Sequence, residues 1–195
     1  GQPAIACDKG CAACCTLRVS ATAPEVFMIA RFIEGTARRY AQGGLDLCAR
    51  LQQADAHTRG LDEAARVALR RRCPFVVNGA CTIYPVRPLA CRGHASHDRR
   101  ACGEAAAGRR EEVPFSGPHR LVRSIVQSAW QAMLRDRGLA HGAYELNQAL
   151  VIALQARAGW LAWLAGGDPL ADAAVDSASD LAAMGQVFDQ ALAAV

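Results

Sequence analysis

Nine cysteines are the residues in this sequence best suited to chemistry, and seven of them lie in two dense segments. The seven are Cys7, Cys11, Cys14 and Cys15 in the first segment, and Cys73, Cys81 and Cys91 in the second. Thiolates are common ligands of tetrahedral zinc and of iron–sulfur clusters. We therefore predict that all seven bind zinc or iron. Since one such site takes four ligands, seven thiols indicate either two metals or one metal with spare thiols.

The spacing within each segment indicates how these thiols come together. Cys7, Cys11 and Cys14 would share one face if the backbone turned helically, and Cys15 would point further round. In the second segment an Asn78-Gly79 turn brings Cys73 back toward Cys81, which predicts one very short hairpin. Adjacent Cys14 and Cys15 are a weak sign of a polynuclear site.

The two remaining cysteines are interpreted differently. Cys48 lies among leucines in a predicted helix and is expected to be a buried thiol. Cys102 follows the second segment, and the sequence leaves open whether it is an extra ligand. Disulfides are the alternative for such a density of cysteines, but the odd count leaves one unpaired. In a reducing cytoplasm metal binding is favoured over disulfide formation.

Three polar residues close to the second segment are candidates for contact with a cofactor or substrate. Arg87 and Arg92 could neutralise thiolate charge, donate hydrogen bonds to the sulfurs or hold an anionic substrate. His94 could ligate the metal or carry protons. Each has a simpler alternative, which is a structural ion pair for the arginines and a solvated loop position for the histidine. Tyr84 is expected to serve packing.

These motifs resemble the family of zinc- or iron-chelating cysteine-cluster proteins that is named for a CxxCxxCC signature. The resemblance covers about residues 5–95. It includes the first four cysteines, with one extra residue in the first gap, and Cys73-Pro, Ile83-Tyr84, Arg87-Pro88 and Cys91-Arg92. A flagellin lysine N-methylase looks like a related, larger member of this family that holds an iron–sulfur cluster. The resemblance thus implies a metal site. For an enzyme related to the methylase, it would also imply a methylase-like or redox activity.

Helical patterns surround the cysteine segments. Thr22, Pro24 and Glu25 predict the start of a helix with an apolar stripe, which Gly35 is expected to end. Further helices are predicted over 45–57, 62–72, 116–137, 144–165 and 179–194, with a short one after Asp168-Pro169. We expect Leu121, Ile125, Trp130 and Leu134 to form a buried face, and Trp160 and Trp163 to lie in the core. The fold class is therefore mainly α, with an irregular cysteine-cluster region organised by metal.

Composition limits the remaining possibilities. No apolar run spans a membrane, and the N-terminus shows no signal-peptide pattern, so we expect a cytoplasmic protein. The Ala-rich and Arg-rich composition, with Lys9 as the only lysine, indicates a GC-rich bacterial genome. The formal net charge of +4 is only mildly basic, and no aromatic platform accompanies the arginines, so nucleic-acid binding is disfavoured. We predict a metal-binding region over 1–108 and a helical extension over 109–195, packed into one globular unit.

Four functions fit the sequence, and it does not decide between them. The leading hypothesis is a metal-binding protein that holds zinc or an iron or iron–sulfur centre through both segments. The alternatives are an iron–sulfur or iron enzyme acting on a peptide, an amino acid or a redox partner, a zinc-stapled module for a protein or peptide partner, and a protein for metal storage or delivery. Whether the chain is an enzyme stays open at this point.

Overall fold

The computed structural model describes residues 3–8 and 10–193, and this part of the chain is mainly α-helical as predicted. Its α-helices are α1 (Ala23–Gln42), α2 (Leu47–Thr58), α3 (Glu63–Leu69), α4 (Leu89–Arg92), α5 (Arg99–Ala106), α6 (Gly117–Asp136), α7 (Leu146–Gln155), α8 (Gly159–Leu164) and α9 (Ala178–Ala193). Its strands are β1 (Ser20–Thr22), β2 (Val76–Val77), β3 (Ala80–Cys81) and β4 (Ala143–Glu145). Short 3-10 turns cover Ala13–Thr16, Tyr84–Val86 and Ala171–Ala173.

The start of α1 follows the predicted capping signal. Oε2 of Glu25 accepts hydrogen bonds from both the amide and the hydroxyl of Thr22, and each bond has a length of 2.8 Å. Pro24 lies in the first turn, where its missing N–H costs no helical hydrogen bond. The same Glu25 carboxylate reaches further, because its Oε1 accepts a hydrogen bond of 2.7 Å from the amide of Leu89. The residue that caps α1 therefore also fixes the beginning of α4.

Two antiparallel strands tie the N-terminal segment to the distant part of the chain. β1 pairs with β4 in the register Ser20↔Glu145 and Thr22↔Ala143. Glu145 then caps α7, as its Oε2 accepts a hydrogen bond of 2.8 Å from the amide of Gln148. The pairing places α7 directly against α1 and α2.

The core lies between α1, α2 and α7. Apolar side chains at helical spacing on α1 meet Leu51 of α2 and Leu150 of α7 with no exposed surface. The buried residues of α1 are Ala23 and the four residues of the predicted stripe, which are Val26, Ile29, Ala30 and Ile33. Residues from both sides of position 108 share this core, although the division into functional regions stays a prediction.

The predicted hairpin is confirmed as β2 and β3, with Val76 opposite Cys81. Asn78 and Gly79 both have a positive φ, of 49° and 77°, which suits a tight turn of the type that favours this dipeptide. Two helices hold the hairpin through its backbone. The hydroxyl of Tyr40 on α1 donates to the carbonyl of Thr82, and Arg50 on α2 donates to the carbonyls of Pro74 and Val76.

Two predicted helix boundaries were wrong. α1 does not end at Gly35 but continues to Gln42, which carries Tyr40 to its contact with Thr82. One glycine costs a helix only about 1 kcal/mol, and the packing of the later turns offsets this. The predicted helix over 144–165 is divided instead into β4, α7 and α8, because Tyr144 pairs with Ala21 and the backbone leaves helical geometry at Ala156.

The remaining helix boundaries match the patterns closely. The predicted segments 45–57 and 62–72 correspond to α2 and α3, and Arg70 ends α3 in the left-handed region. The segment 116–137 corresponds to α6. The predicted short helix after Asp168-Pro169 is a 3-10 turn, and the last segment is α9, whose predicted end at Ala194 lies outside the described residues.

The predicted buried face of α6 was wrong. Leu121, Ile125 and Trp130 have exposed fractions of 62%, 58% and 41%, and only Leu134 of the expected four is buried. Trp163 lies in the core as predicted, whereas Trp160 is 40% exposed. The space against α1 is already filled by α2 and α7, so the apolar side of α6 finds no covering element within the described residues.

A membrane-spanning helix is not found in residues 3–8 and 10–193, where no helix is both long enough and apolar enough.

Replacing Glu25 with alanine should lower the free energy of unfolding by roughly 2 to 4 kcal/mol, because the change removes a helix cap and a charged hydrogen bond to Leu89. Urea denaturation of the variant measures this loss. The matched control is Glu34→Ala, an exposed carboxylate on the same helix whose loss should cost little. Equal effects of the two changes would contradict the anchoring role of Glu25.

Candidate metal centre

The first cysteine segment folds as a series of tight turns. The amide of Cys11 donates to the carbonyl of Asp8, and the amide of Cys15 donates to Ala12 at the start of the 3-10 turn. Gly10 interrupts the winding with a φ of +90°, so Cys7, Cys11 and Cys14 do not share the face of one helix. The turns nevertheless keep all four thiols within a short stretch of chain.

The second segment meets the first through the backbone. The amide of Cys73 donates a hydrogen bond of 2.6 Å to the carbonyl of Cys15. Cys81 lies on β3, and Cys91 lies on α4, the single helical turn that Glu25 holds. The scaffold thus brings the two cysteine segments into contact.

Five thiols form what we call the inner thiol group, consisting of Cys14, Cys15, Cys73, Cys81 and Cys91. Burial, together with negative charge on Cys91 and Cys81, raises the pKa of Cys73 to about 12. Burial, together with charge on Cys14 and Cys81, likewise raises the pKa of Cys91 to about 12. A hydrogen bond with Cys15, followed by burial, raises the pKa of Cys14 well above its usual range. The members are therefore close enough that each resists ionisation of its neighbours.

Three further thiols, Cys7, Cys11 and Cys102, form the outer thiol group. The amide of Ser96 donates a hydrogen bond of 3.4 Å to Sγ of Cys7. Burial and then negative charge on Cys7, Cys11 and Cys14 raise the pKa of Cys102. Cys14 thus influences members of both groups.

Cys102 reaches the first segment because α5 packs against the 3-10 turn that contains Cys14 and Cys15. Asp98 caps α5 by accepting a hydrogen bond from the amide of Ala101. This cap was the sequence signal that could have placed Cys102 on a helix starting next to the second segment. Cys48 lies elsewhere, half-buried against the core, and its pKa is raised by burial and by Asp46 and Glu34.

The three polar candidates, Arg87, Arg92 and His94, have different surroundings in the structure. Arg87 lies near the inner thiol group, where its charge counteracts the rise in pKa of Cys14, Cys81 and Cys91. Its guanidinium stacks on the exposed ring of Tyr84, 3.9 Å from the centroid, and its Nε is buried without a hydrogen-bond partner. Arg92 is exposed and donates to the carbonyls of Arg87 and Pro85, so it braces the loop.

His94 packs away from the thiols. Its ring meets Phe115 edge-on with 4.7 Å between centroids, and burial followed by the charges of Arg123 and Arg120 lowers its pKa. His97 contacts the carbonyl of Ala4 instead. The neighbours of His94 among the described residues include Phe115, Arg120 and Arg123, and its role as a ligand stays a prediction.

The donor chemistry fits a thiophilic metal, although the side chains do not form a finished site. Within the described residues, no three side chains of histidine, cysteine, aspartate or glutamate converge closely enough to hold an ion. All nine cysteines are free thiols in the structure, so no disulfide competes for the sulfurs. Eight of them are divided between the inner and outer groups, and a bound cation would relieve their mutual repulsion by stabilising the thiolate form.

Comparison with protein families gives a match over residues 6–108 to the CxxCxxCC model, described as "Putative zinc- or iron-chelating domain". This match spans more than half of the chain and contains all nine cysteines, which are the eight thiols of the inner and outer groups and Cys48. The chain belongs to the CxxCxxCC family. The resemblance seen in the sequence is thereby confirmed, and it extends beyond position 95 to include Cys102. No curated protein and no solved structure matches the chain.

Membership in the CxxCxxCC family carries zinc or iron chelation as its described function, and it does not distinguish the two metals. The residues that would ligate are not assigned by the family match. Residues 109–193 lie outside the matched region, and α6 to α9 therefore have no counterpart in the family model.

Metal-free protein should lose stability as the pH rises above about 8.5, the ordinary pKa of an unfolded cysteine. Because the folded pKa values of Cys73 and Cys91 are raised to about 12, the folded state holds these protons after the unfolded state has released them. Their contribution is complete below pH 8.5 and is lost between pH 8.5 and 12. Chemical denaturation in a chelator at pH 8 and pH 10 measures the fall.

The matched variant for this measurement is Cys73→Ala with Cys91→Ala, which removes both titrating groups and should flatten the dependence on pH. An unchanged slope in the variant would contradict the neutral, buried state of the two thiols.

Proposed function

We propose that this protein holds two adjacent zinc or iron centres through its inner and outer thiol groups. The observation that carries the proposal is that the first segment contacts both the second segment, through the hydrogen bond between Cys73 and Cys15, and α5, so that the thiols of all three influence one another's pKa. Eight thiolates suffice for two tetrahedral four-thiolate sites. Cys14 lies between the groups and would complete the outer one, which leaves Cys15, Cys73, Cys81 and Cys91 for the inner one.

The chain's own residues have separate parts in this arrangement. The predicted ligands Cys7, Cys11, Cys14, Cys15, Cys73, Cys81 and Cys91 supply thiolates, and Cys102 is added as the eighth. Arg87 offsets part of the negative charge of the inner thiolates, and the amide of Ser96 stabilises the sulfur of Cys7 by a hydrogen bond. The bound metal would supply a structural cross-link in the zinc form, or electron transfer in the iron–sulfur form.

Anaerobic purification followed by quantification of zinc, iron and acid-labile sulfide tests this proposal. We expect about two zinc ions per chain, or iron in an amount and sulfide ratio that fit a thiolate-bound iron centre. Cys91→Ser should remove metal from the inner group, and Cys102→Ser should remove metal from the outer group alone.

The matched control is Cys48→Ser, which should retain the full metal content because this thiol lies with Asp46 and Glu34 rather than with the other cysteines. Metal-free wild-type protein, or an equal loss in the Cys48 variant, would refute the proposal. One equivalent that is lost with Cys91 but kept with Cys102 would restrict the site to the inner group.

A protein-interaction role is a second candidate, and the exposed apolar side of α6 is the observation that favours it. Val122, Val126 and Met133 extend the exposed row formed by Leu121, Ile125 and Trp130. An uncovered apolar row of this length is typical of an interface. Such a face is also self-complementary when two copies of the helix pack against each other.

Replacement of Ile125 by lysine should abolish any self-association seen by sedimentation velocity without reducing metal content, since the side chain of Ile125 is exposed and its replacement leaves the buried side of α6 unchanged. Arg120→Lys on the same helix keeps the charge and serves as the control. A wild-type chain that stays monomeric at high concentration would remove the self-association form of this candidate.

A further inference from the structure

A cavity of about 250 Å³ adjoins the inner thiol group. Cys15 and Cys73, which are joined by the hydrogen bond between their backbones, form part of its wall. Its volume is close to the lower end of the range for small-molecule sites. The cavity therefore has room for a small metabolite beside two of the sulfurs.

The lining of this cavity is strongly cationic. It includes four arginines and a single carboxylate, and these residues are Arg50, Arg66, Arg71, Arg72 and Glu145. Among the residues that the structure describes, no carboxylate lies within ion-pair distance of Arg50, Arg71 or Arg72. Three arginine charges facing one small space repel one another unless an anion is present.

Arg66 is the buried member of the set, with an exposed fraction of 7%. Its Nη1 lies 2.9 Å from Oε1 of Glu145, and the two side chains form an almost fully buried ion pair. Oε2 of the same carboxylate caps α7. Glu145 therefore neutralises Arg66, which leaves the charges of Arg50, Arg71 and Arg72 without a carboxylate partner, and Arg66 is still near enough to Cys73 to lower the pKa of that thiol.

We propose that this cavity binds a small organic anion, a carboxylate or phosphate compound, with its charged group held by the arginines and its remainder against Cys15 and Cys73. Guanidinium groups match both anions through paired N–H donors, which is why several arginines around one space favour such a ligand. Anion binding depends only on the cavity, whereas its place beside a metal rests on the proposed function.

The simplest alternative is that the arginines neutralise metal-bound thiolates and bind nothing else. Replacing Arg71 and Arg72 distinguishes the two accounts. Both residues follow the end of α3, are exposed and form no ion pair with the described carboxylates. The adjacent Arg70 has the same charge but does not line the cavity, since its guanidinium packs against Gly108. Arg70→Gln is thus a control for loss of charge alone.

Isothermal titration of the anaerobically purified protein with succinate and with inorganic phosphate, at low ionic strength, tests the proposal. We expect saturable binding of one equivalent of at least one probe, and the preferred probe identifies the ligand as a carboxylate or a phosphate. The double variant Arg71→Gln with Arg72→Gln should bind about tenfold or more weakly. Arg70→Gln should retain the wild-type affinity.

Two results would overturn the inference. One is that the wild-type protein binds neither probe, whether or not the double variant loses metal. The other is equal weakening by the double variant and by Arg70→Gln, which would show diffuse attraction to a basic surface. Metal content measured on the same samples separates the two proposals. If the protein is loaded with metal but binds no anion, only the cavity site is refuted. If the protein as purified holds no metal but binds the anion, only the metal centres are refuted.

Discussion

The carboxylate of Glu25 joins the helical core to the cysteine-bearing chain. One oxygen caps α1 at Thr22 and the other holds the amide of Leu89, two residues before Cys91. Because α1 supplies much of the buried core, the position of Cys91 is set by the most rigid part of the molecule. Tyr40 and Arg50 fix the hairpin in the same manner from α1 and α2. The second cysteine segment is therefore placed by helices and not by metal alone.

Gathering and burying the thiols makes their ionisation unfavourable in the absence of metal. Burial and neighbouring thiols keep Cys14, Cys73 and Cys91 protonated at neutral pH. The charge of Arg87 lowers the pKa of Cys91, and the charge of Arg66 lowers the pKa of Cys73, which lines the cationic cavity. A thiolate centre and an anion site beside it would share the same positive charges. Metal content and anion affinity would then be coupled through these arginines.

The sequence predicted the features that depend on local chemistry. Thr22 and Glu25 identify a cap, and Asn78-Gly79 identifies a hairpin turn, because neither requires knowledge of distant residues. Predictions that needed the packing partner were wrong: Ile125 is exposed since α2 and α7 already cover α1, and the pairing of Tyr144 with Ala21 divides an expected helix. The cysteines of the site were visible as a motif. Arg66 was not, because it lies far from Glu145 along the chain and only the fold brings them together.

X-ray absorption spectroscopy at the zinc and iron edges of the anaerobically purified protein tests the central claim most directly, because it reports the atoms bound to the metal. The account predicts an average of four sulfur neighbours, at about 2.3 Å for zinc. A first coordination shell made of nitrogen and oxygen, with sulfur absent, would show that the metal binds elsewhere and would contradict the assignment of the inner and outer thiol groups.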